Sequence, residues 1–164
     1  MLYCRKMKNQ TLKGGYVELI SNGYYTHALT LKPNSKTFHF SDATLFRKIG
    51  EFHNLLDKKL VGCRFHKEKY RHLRTEIIAV CEGTKYTGHI HCAIRVHDSK
   101  LPKFRAMFPS DLTKSAEGQE LWERVAVGGT IVVKDIYDAE GWAKYMTKSL
   151  SGDQCSDRVK VLPE

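Results

Sequence analysis

The stretch GTKYTGHIHCAIRV, residues 83–96, constrains this chain more than any other. Ile90, Cys92, Ile94 and Val96 alternate with His89, His91, Ala93 and Arg95, the period-two pattern of a β-strand whose apolar set faces a core. TEIIAVCE, residues 75–82, is a second β-prone run, and the short link between them predicts an antiparallel pair. A regular hairpin with an even-numbered loop sets residue 82 opposite residue 89, and directly opposed residues project to one face. Glu82, His89 and His91 therefore converge. One carboxylate and two neutral imidazoles form a mixed oxygen and nitrogen set suited to a divalent cation. Three protein ligands leave coordination positions open, as catalysis requires and a closed structural zinc site does not allow. Cys92 points to the other face, and His97 lies too far along the strand to join them. The plain alternative is a polar strand face that carries two histidines and no ion.

Elsewhere the pattern predicts a single α+β domain, and 164 residues suffice for one core of ordinary size. Residues 15–32, GYVELISNGYYTHALTLK, predict a β-hairpin that turns at Asn22-Gly23, a pair suited to a type I′ turn. In SDATLFRKIGEFHNLLDKKL, residues 41–60, Leu45, Ile49, Phe52, Leu55, Leu56 and Leu60 recur at helical spacing behind Ser41, an N-cap residue. SKLPKFRAMF and AEGQELWERVAV predict short helices, GTIVVKDI a strand, and DAEGWAKYMTKSL a helix. Residues 151–164 read as a polar tail or the start of a linker, after a domain spanning residues 1–150.

The last helix supplies a nucleophile. At about 100° per residue, Ala139, Trp142, Ala143, Met146 and Leu150 make an apolar stripe with Tyr145 and Lys148 on its flank. Tyr145 can then reach a substrate, with Lys148 to hold a phosphate or favour the phenolate; a rim packing role is the competing reading. Tyr137 is the rival phenol, without a cation one turn away.

Charge suggests the substrate class. Twenty-seven Lys and Arg against eighteen Asp and Glu give a formal net charge of +9, which favours a polyanionic partner. Arg64, Lys67, Lys69, Arg71 and Arg74 are interleaved with Phe65 and Tyr70, a mixture suited to phosphate contact and base stacking. No run of about 18 apolar residues occurs, and the first residues lack the apolar core of a signal peptide. Five scattered cysteines never form a CxxC pair, so reduced thiols in the cytoplasm are expected.

Three segments in this order resemble the HUH endonuclease superfamily, and within it the single-tyrosine rolling-circle replication initiators of plasmids and single-stranded DNA viruses. They are HALTLK at 27–32, HIH at 89–91 with Glu82 as third ligand, and YMTK at 145–148. The resemblance implies a ferredoxin-like or RRM-like antiparallel sheet with flanking helices, a site-specific single-stranded DNA endonuclease, and a 5′-phosphotyrosine intermediate on Tyr145. It implies Mn²⁺ or Mg²⁺ held by Glu82, His89 and His91, with Lys148 assisting. The partner is a single-stranded origin or hairpin, bound by a monomeric domain. No helicase follows in these residues, so the chain is either the nicking domain of a longer protein or a small initiator that borrows a host helicase. No second tyrosine lies three or four residues from Tyr145, unlike two-tyrosine initiators, and no glutamine lies four residues after it, unlike the small HUH transposases. Other readings are a transposase- or relaxase-type strand transferase, a non-catalytic RRM-like binding module, and a zinc hydrolase in which Tyr145 is structural.

Overall fold

The computed structural model describes residues 12–34, 41–83, 88–109, 116–151 and 156–163. In chain order the elements are α1 (Leu12–Asn22), β1 (His27–Lys32), α2 (Asp42–Leu60), β2 (Glu76–Glu82), β3 (His89–Arg95), α3 (Leu101–Met107), α4 (Glu117–Val125), β4 (Thr130–Asp135), α5 (Ala139–Met146) and β5 (Val159–Leu162). The strands form one sheet in the order β4-β1-β3-β2-β5, every neighbouring pair antiparallel. This is the expected α+β architecture, a central antiparallel sheet with flanking helices.

Both faces of the sheet are covered, which the alternation in β3 alone does not disclose. Leu29, Leu31, Ile77, Ala79, Cys81, Ile90, Cys92 and Ile94 meet α2, α3 and α4 in the larger core. Phe52 and Trp122 fill its centre edge to face, with ring centroids 5.8 Å apart. On the other side Ile78, Val80 and Ala93 meet Ile20 of α1 and Ala143, Met146 and Leu150 at α5. The histidine face of β3 is thus partly interior.

The hairpin expected over residues 15–32 is corrected: Leu12–Asn22 is a helix, and only His27–Lys32 is a strand. Tyr16, Val17 and Ile20 lie at i, i+1 and i+4, so a helix turns all three onto the α5 side, where Ile20 is buried and Tyr16 and Val17 are partly so. That tertiary contact outweighs the weak β preference of Tyr, Val and Ile. Asn22-Gly23 ends the helix instead of turning a hairpin. A side chain at Gly23 would strike the Tyr25 ring at 2.2 Å, and Tyr24 takes the left-handed conformation at φ 54°.

A second correction concerns the chain's end. Within the stretch expected to be a polar tail, Val159–Leu162 pairs with Ile77–Val80 as the sheet's edge strand, and Leu162 enters the larger core. Four residues of modest hydrophobicity gave little periodic signal, yet an open strand edge makes even a short segment worth pairing.

α2 begins as expected, with Ser41 Oγ accepting from Thr44 N–H at 3.2 Å. Its inner face is tied to the start of β2 by Asp57, which is fully buried. Asp57 accepts from Arg74 Nε at 2.8 Å and from the Thr75 N–H and hydroxyl at 2.9 Å each. His53, also buried, sets Nε2 2.9 Å from the Thr75 carbonyl oxygen. Removing the carboxylate strands three donors, so Asp57→Ala is expected to cost about 3–5 kcal/mol in urea unfolding.

Acid acts on the same knot. Burial, only partly opposed by Asp57, holds His53 below its ordinary pKa. The unfolded chain therefore takes up this proton first as the pH falls through about 6.5. Stability is full above that value and declines below it by about 1 kcal/mol per pH unit for such an imidazole, until the folded-state pKa is passed. Urea midpoints at pH 7.5 and 5.5 check this, and His53→Gln is expected to flatten the dependence in part.

Candidate metal centre

Glu82, His89 and His91 come together through strand register. Glu82 stands opposite His89 in the β2–β3 ladder, and His91 lies two residues on, opposite Val80. The loop expected to centre this hairpin includes residues 84–87, outside the described residues, but the pairing on either side is the expected one. His91 Nε2 lies 2.8 Å from Glu82 Oε2 and 3.1 Å from His89 Nε2, while His89 Nε2 lies 3.3 Å from the same carboxylate oxygen. The three atoms form a nearly equilateral triangle. Ligands about 2.1 Å from one ion and at right angles lie about 3 Å apart, so these separations match one face of an octahedral cation. Among the described residues this is the group of three or more His, Cys, Asp or Glu side chains that could hold a metal ion.

Electrostatics prepares the ligands. Burial, with the neighbouring His89 imidazole, pushes His91 down to about 4, so its ring is neutral at pH 7. Thr30 Oγ1 faces His91 Nδ1 at 3.2 Å. When that nitrogen donates to the hydroxyl, Nε2 keeps its lone pair for a cation. Burial works to raise the Glu82 carboxyl, but the hydrogen bond and charge of Lys148, followed by the imidazoles, hold it below the usual carboxylate value. It is therefore ionised at neutral pH.

Lys148 joins ligand to phenol. Its Nζ lies 3.2 Å from Glu82 Oε1, the oxygen turned away from the histidines, and 4.0 Å from the centroid of the Tyr145 ring. The helix ends at Met146, and the following turn carries Lys148 back beneath Tyr145. Tyr145 is 45% exposed. Its ring centroid lies 5.0 Å from that of His91, and it stacks on Trp142 at 5.4 Å. Trp142 is itself anchored, donating from Nε1 to the Cys92 carbonyl oxygen at 3.3 Å. A groove of about 420 Å³, lined by Thr30, Lys32, Gly88, His89, His91 and Tyr145, opens beside the cluster.

The other candidates lie elsewhere. Tyr137 sits beside Asp135, at the end of β4 away from the cluster. Cys92 is buried in the larger core, and His97 caps a helical turn by accepting from Ser99 N–H. Arg64, Lys67, Lys69, Arg71 and Arg74 belong to the segment before Glu76, at the opposite end of β2 from Glu82. Arg74 is held by Asp57 and covers Phe65, Arg71 lies 3.6 Å from Glu68, and Lys69 lies over Tyr70.

Two supporting residues escaped the sequence reading. Thr30 shares its strand face with no other obvious ligand, and its role appears only when β1 is registered against β3. Trp142 was read as part of an apolar stripe, but it also sets the tilt of Tyr145. In comparisons with family models, curated proteins and solved structures, nothing matches this chain, and the functional argument rests on the residues themselves.

Titration calorimetry with Mn²⁺ is expected to give one site per chain, lost below detection in His91→Ala and Glu82→Gln. Thr30→Val, which removes only the partner of Nδ1, is expected to weaken binding by about 10–100-fold. Binding that survives loss of His91 would contradict the assignment.

Proposed function

We propose that the protein is a metal-dependent endonuclease that nicks and rejoins single-stranded DNA, of the HUH single-tyrosine type that initiates rolling-circle replication. The observation that carries this reading is the placement of Tyr145. A half-exposed phenol lies against one member of a His–His–Glu cluster, with one lysine touching both the cluster and the ring.

Tyr145 Oη is the nucleophile toward a backbone phosphorus lying in the groove beside β1. A bond from Oη to phosphorus forms, the bond from phosphorus to the 3′ oxygen breaks, and the phenolic proton passes in net terms to that oxygen. The products are a 5′-phosphotyrosyl linkage and a free 3′ hydroxyl. A divalent cation, Mn²⁺ or Mg²⁺, supplies charge stabilisation and orientation at a non-bridging oxygen when bound. Glu82, His89 and His91 would hold it, and Thr30 keeps His91 in the tautomer this needs. Lys148 restrains Glu82 through Oε1, leaving Oε2 facing the two imidazoles. Its hydrogen bond to Tyr145 keeps the same ammonium beside the phenol and the phosphate it attacks. Trp142 fixes the ring from behind, limiting the orientations from which Oη must be selected. One phosphodiester replaces another, so rejoining by a 3′ hydroxyl is the same step in reverse and needs no nucleotide triphosphate.

A simple RRM-like binding role fits the surface less well. The cluster-side face of β1 and β4 carries Ala28, Thr30, Lys32, Thr130, Val132 and Lys134, with no aromatic residue on which bases would stack.

The test is incubation with a pool of labelled single-stranded hairpin oligonucleotides and Mn²⁺, followed by denaturing electrophoresis. An SDS-resistant protein–DNA adduct is expected, abolished by Tyr145→Phe and by EDTA, with DNA binding nearly unchanged in Tyr145→Phe. Lys148→Met is expected to slow adduct formation by about 10–100-fold without removing it. Cleavage without an adduct would identify a water-activating hydrolase instead, and binding without cleavage a recognition module.

A further inference from the structure

A second cavity, of about 590 Å³, lies at the other end of β1 from the metal centre and on the opposite face of the sheet. Its wall is aromatic: the Phe104 ring lies 4.8 Å from His27 on one side and 4.8 Å from Phe108 on the other. His27 is buried, with Nδ1 2.8 Å from Thr26 Oγ1 and Nε2 3.1 Å from Asp135 Oδ1. The second oxygen of Asp135 accepts from the Tyr137 hydroxyl at 3.2 Å. Arg105, exposed and 3.8 Å from Asp135, supplies a cation at the rim. Tyr137 is 92% exposed there, a large ring with little protein over it.

This combination selects a ligand class. A carboxylate held in place by a buried histidine repels anions and carbonyl oxygens but accepts from N–H groups. A carboxylate has about four acceptor positions, and His27 and Tyr137 engage two of those on Asp135. The aromatic wall favours a flat group, and Arg105 favours an anion on the same molecule. A planar body with adjacent N–H donors and a phosphate has all three features.

We infer that this cavity binds a nucleotide, its base edge on Asp135, its ring against Phe108 and Tyr137, and its phosphate at Arg105. Bases with an exocyclic amine are preferred. Guanine fits best, because N1–H and the 2-amino group lie side by side; thymine fits worst, because its one N–H is flanked by two carbonyl oxygens. The nucleotide is either free or one residue of a single strand. None of the residues invoked belongs to the metal centre, so the site stands or falls apart from the nicking reaction.

The test uses the full chain in EDTA, so that metal-linked binding does not contribute, with calorimetric titration of dGMP, dTMP and inorganic phosphate. dGMP is expected to bind at least about tenfold more tightly than dTMP, and phosphate more weakly than either. Asp135→Asn is expected to bring dGMP and dTMP to within about twofold of each other, by loss of the charge that separates them. Arg105→Ala, a change on the exposed rim that leaves the core untouched, is expected to weaken dGMP by about five- to tenfold. Glu82→Gln and Tyr145→Phe should change nothing. Oligothymidylate with one central guanine then separates the sources: displacement of dGMP at lower concentration than dGMP itself identifies a strand residue, and failure to displace it identifies a free nucleotide. Equal affinity for dGMP and dTMP, no dGMP binding, or binding lost in Glu82→Gln and kept in Arg105→Ala would overturn the inference.

Discussion

The register of one β-ladder governs this molecule. Glu82 faces His89 because Val80 faces His91 and Ile78 faces Ala93, and the same pairing sends Ile77, Ala79, Cys81, Ile90, Cys92 and Ile94 into the larger core. A slip of either strand by one residue would turn its three apolar groups out of that core and part Glu82 from the histidines. Hydrophobic burial on one face therefore enforces the geometry of the ligand cluster on the other. The cluster needs no loop to hold it, and its ligands inherit the rigidity of a central strand pair.

The second layer makes that cluster more than a surface feature. Because α1 and α5 cover Ile78, Val80 and Ala93, His91 is buried beside them, and burial keeps its ring neutral. Packing of Ala143 and Met146 likewise determines which side of α5 is turned outward, and Tyr145 and Lys148 follow from it. Lys148 then connects the carboxylate to the phenol through two short contacts. Core packing, the neutral state of His91 and the placement of Tyr145 are consequences of one arrangement of helix on sheet.

Much of this was legible in the sequence wherever a single local period decided the outcome. The alternation in β3, the helical spacing behind Ser41 and the stripe along α5 each point to one structure, and each forms. Residues 15–22 were misread because Tyr, Val and Ile suit either a strand or a buried helix stripe, and only the presence of α5 selects the helix. β5 was missed because four edge residues carry almost no pattern. Thr30 was invisible as a partner of His91 because its role depends on a pairing between strands sixty-one residues apart. The basic segment was legible as charge but not as position, since Asp57 and Glu68 take up two of its arginines.

The account rests most directly on whether the triangle of Glu82 Oε2, His89 Nε2 and His91 Nε2 surrounds a cation. Anomalous diffraction from crystals soaked in Mn²⁺ measures this without reference to activity. The expected result is one strong peak within about 2.0–2.3 Å of all three atoms, with Lys148 still on Glu82 Oε1. A peak elsewhere on the molecule with none at the triangle, under conditions where the crystal takes up manganese, would contradict it.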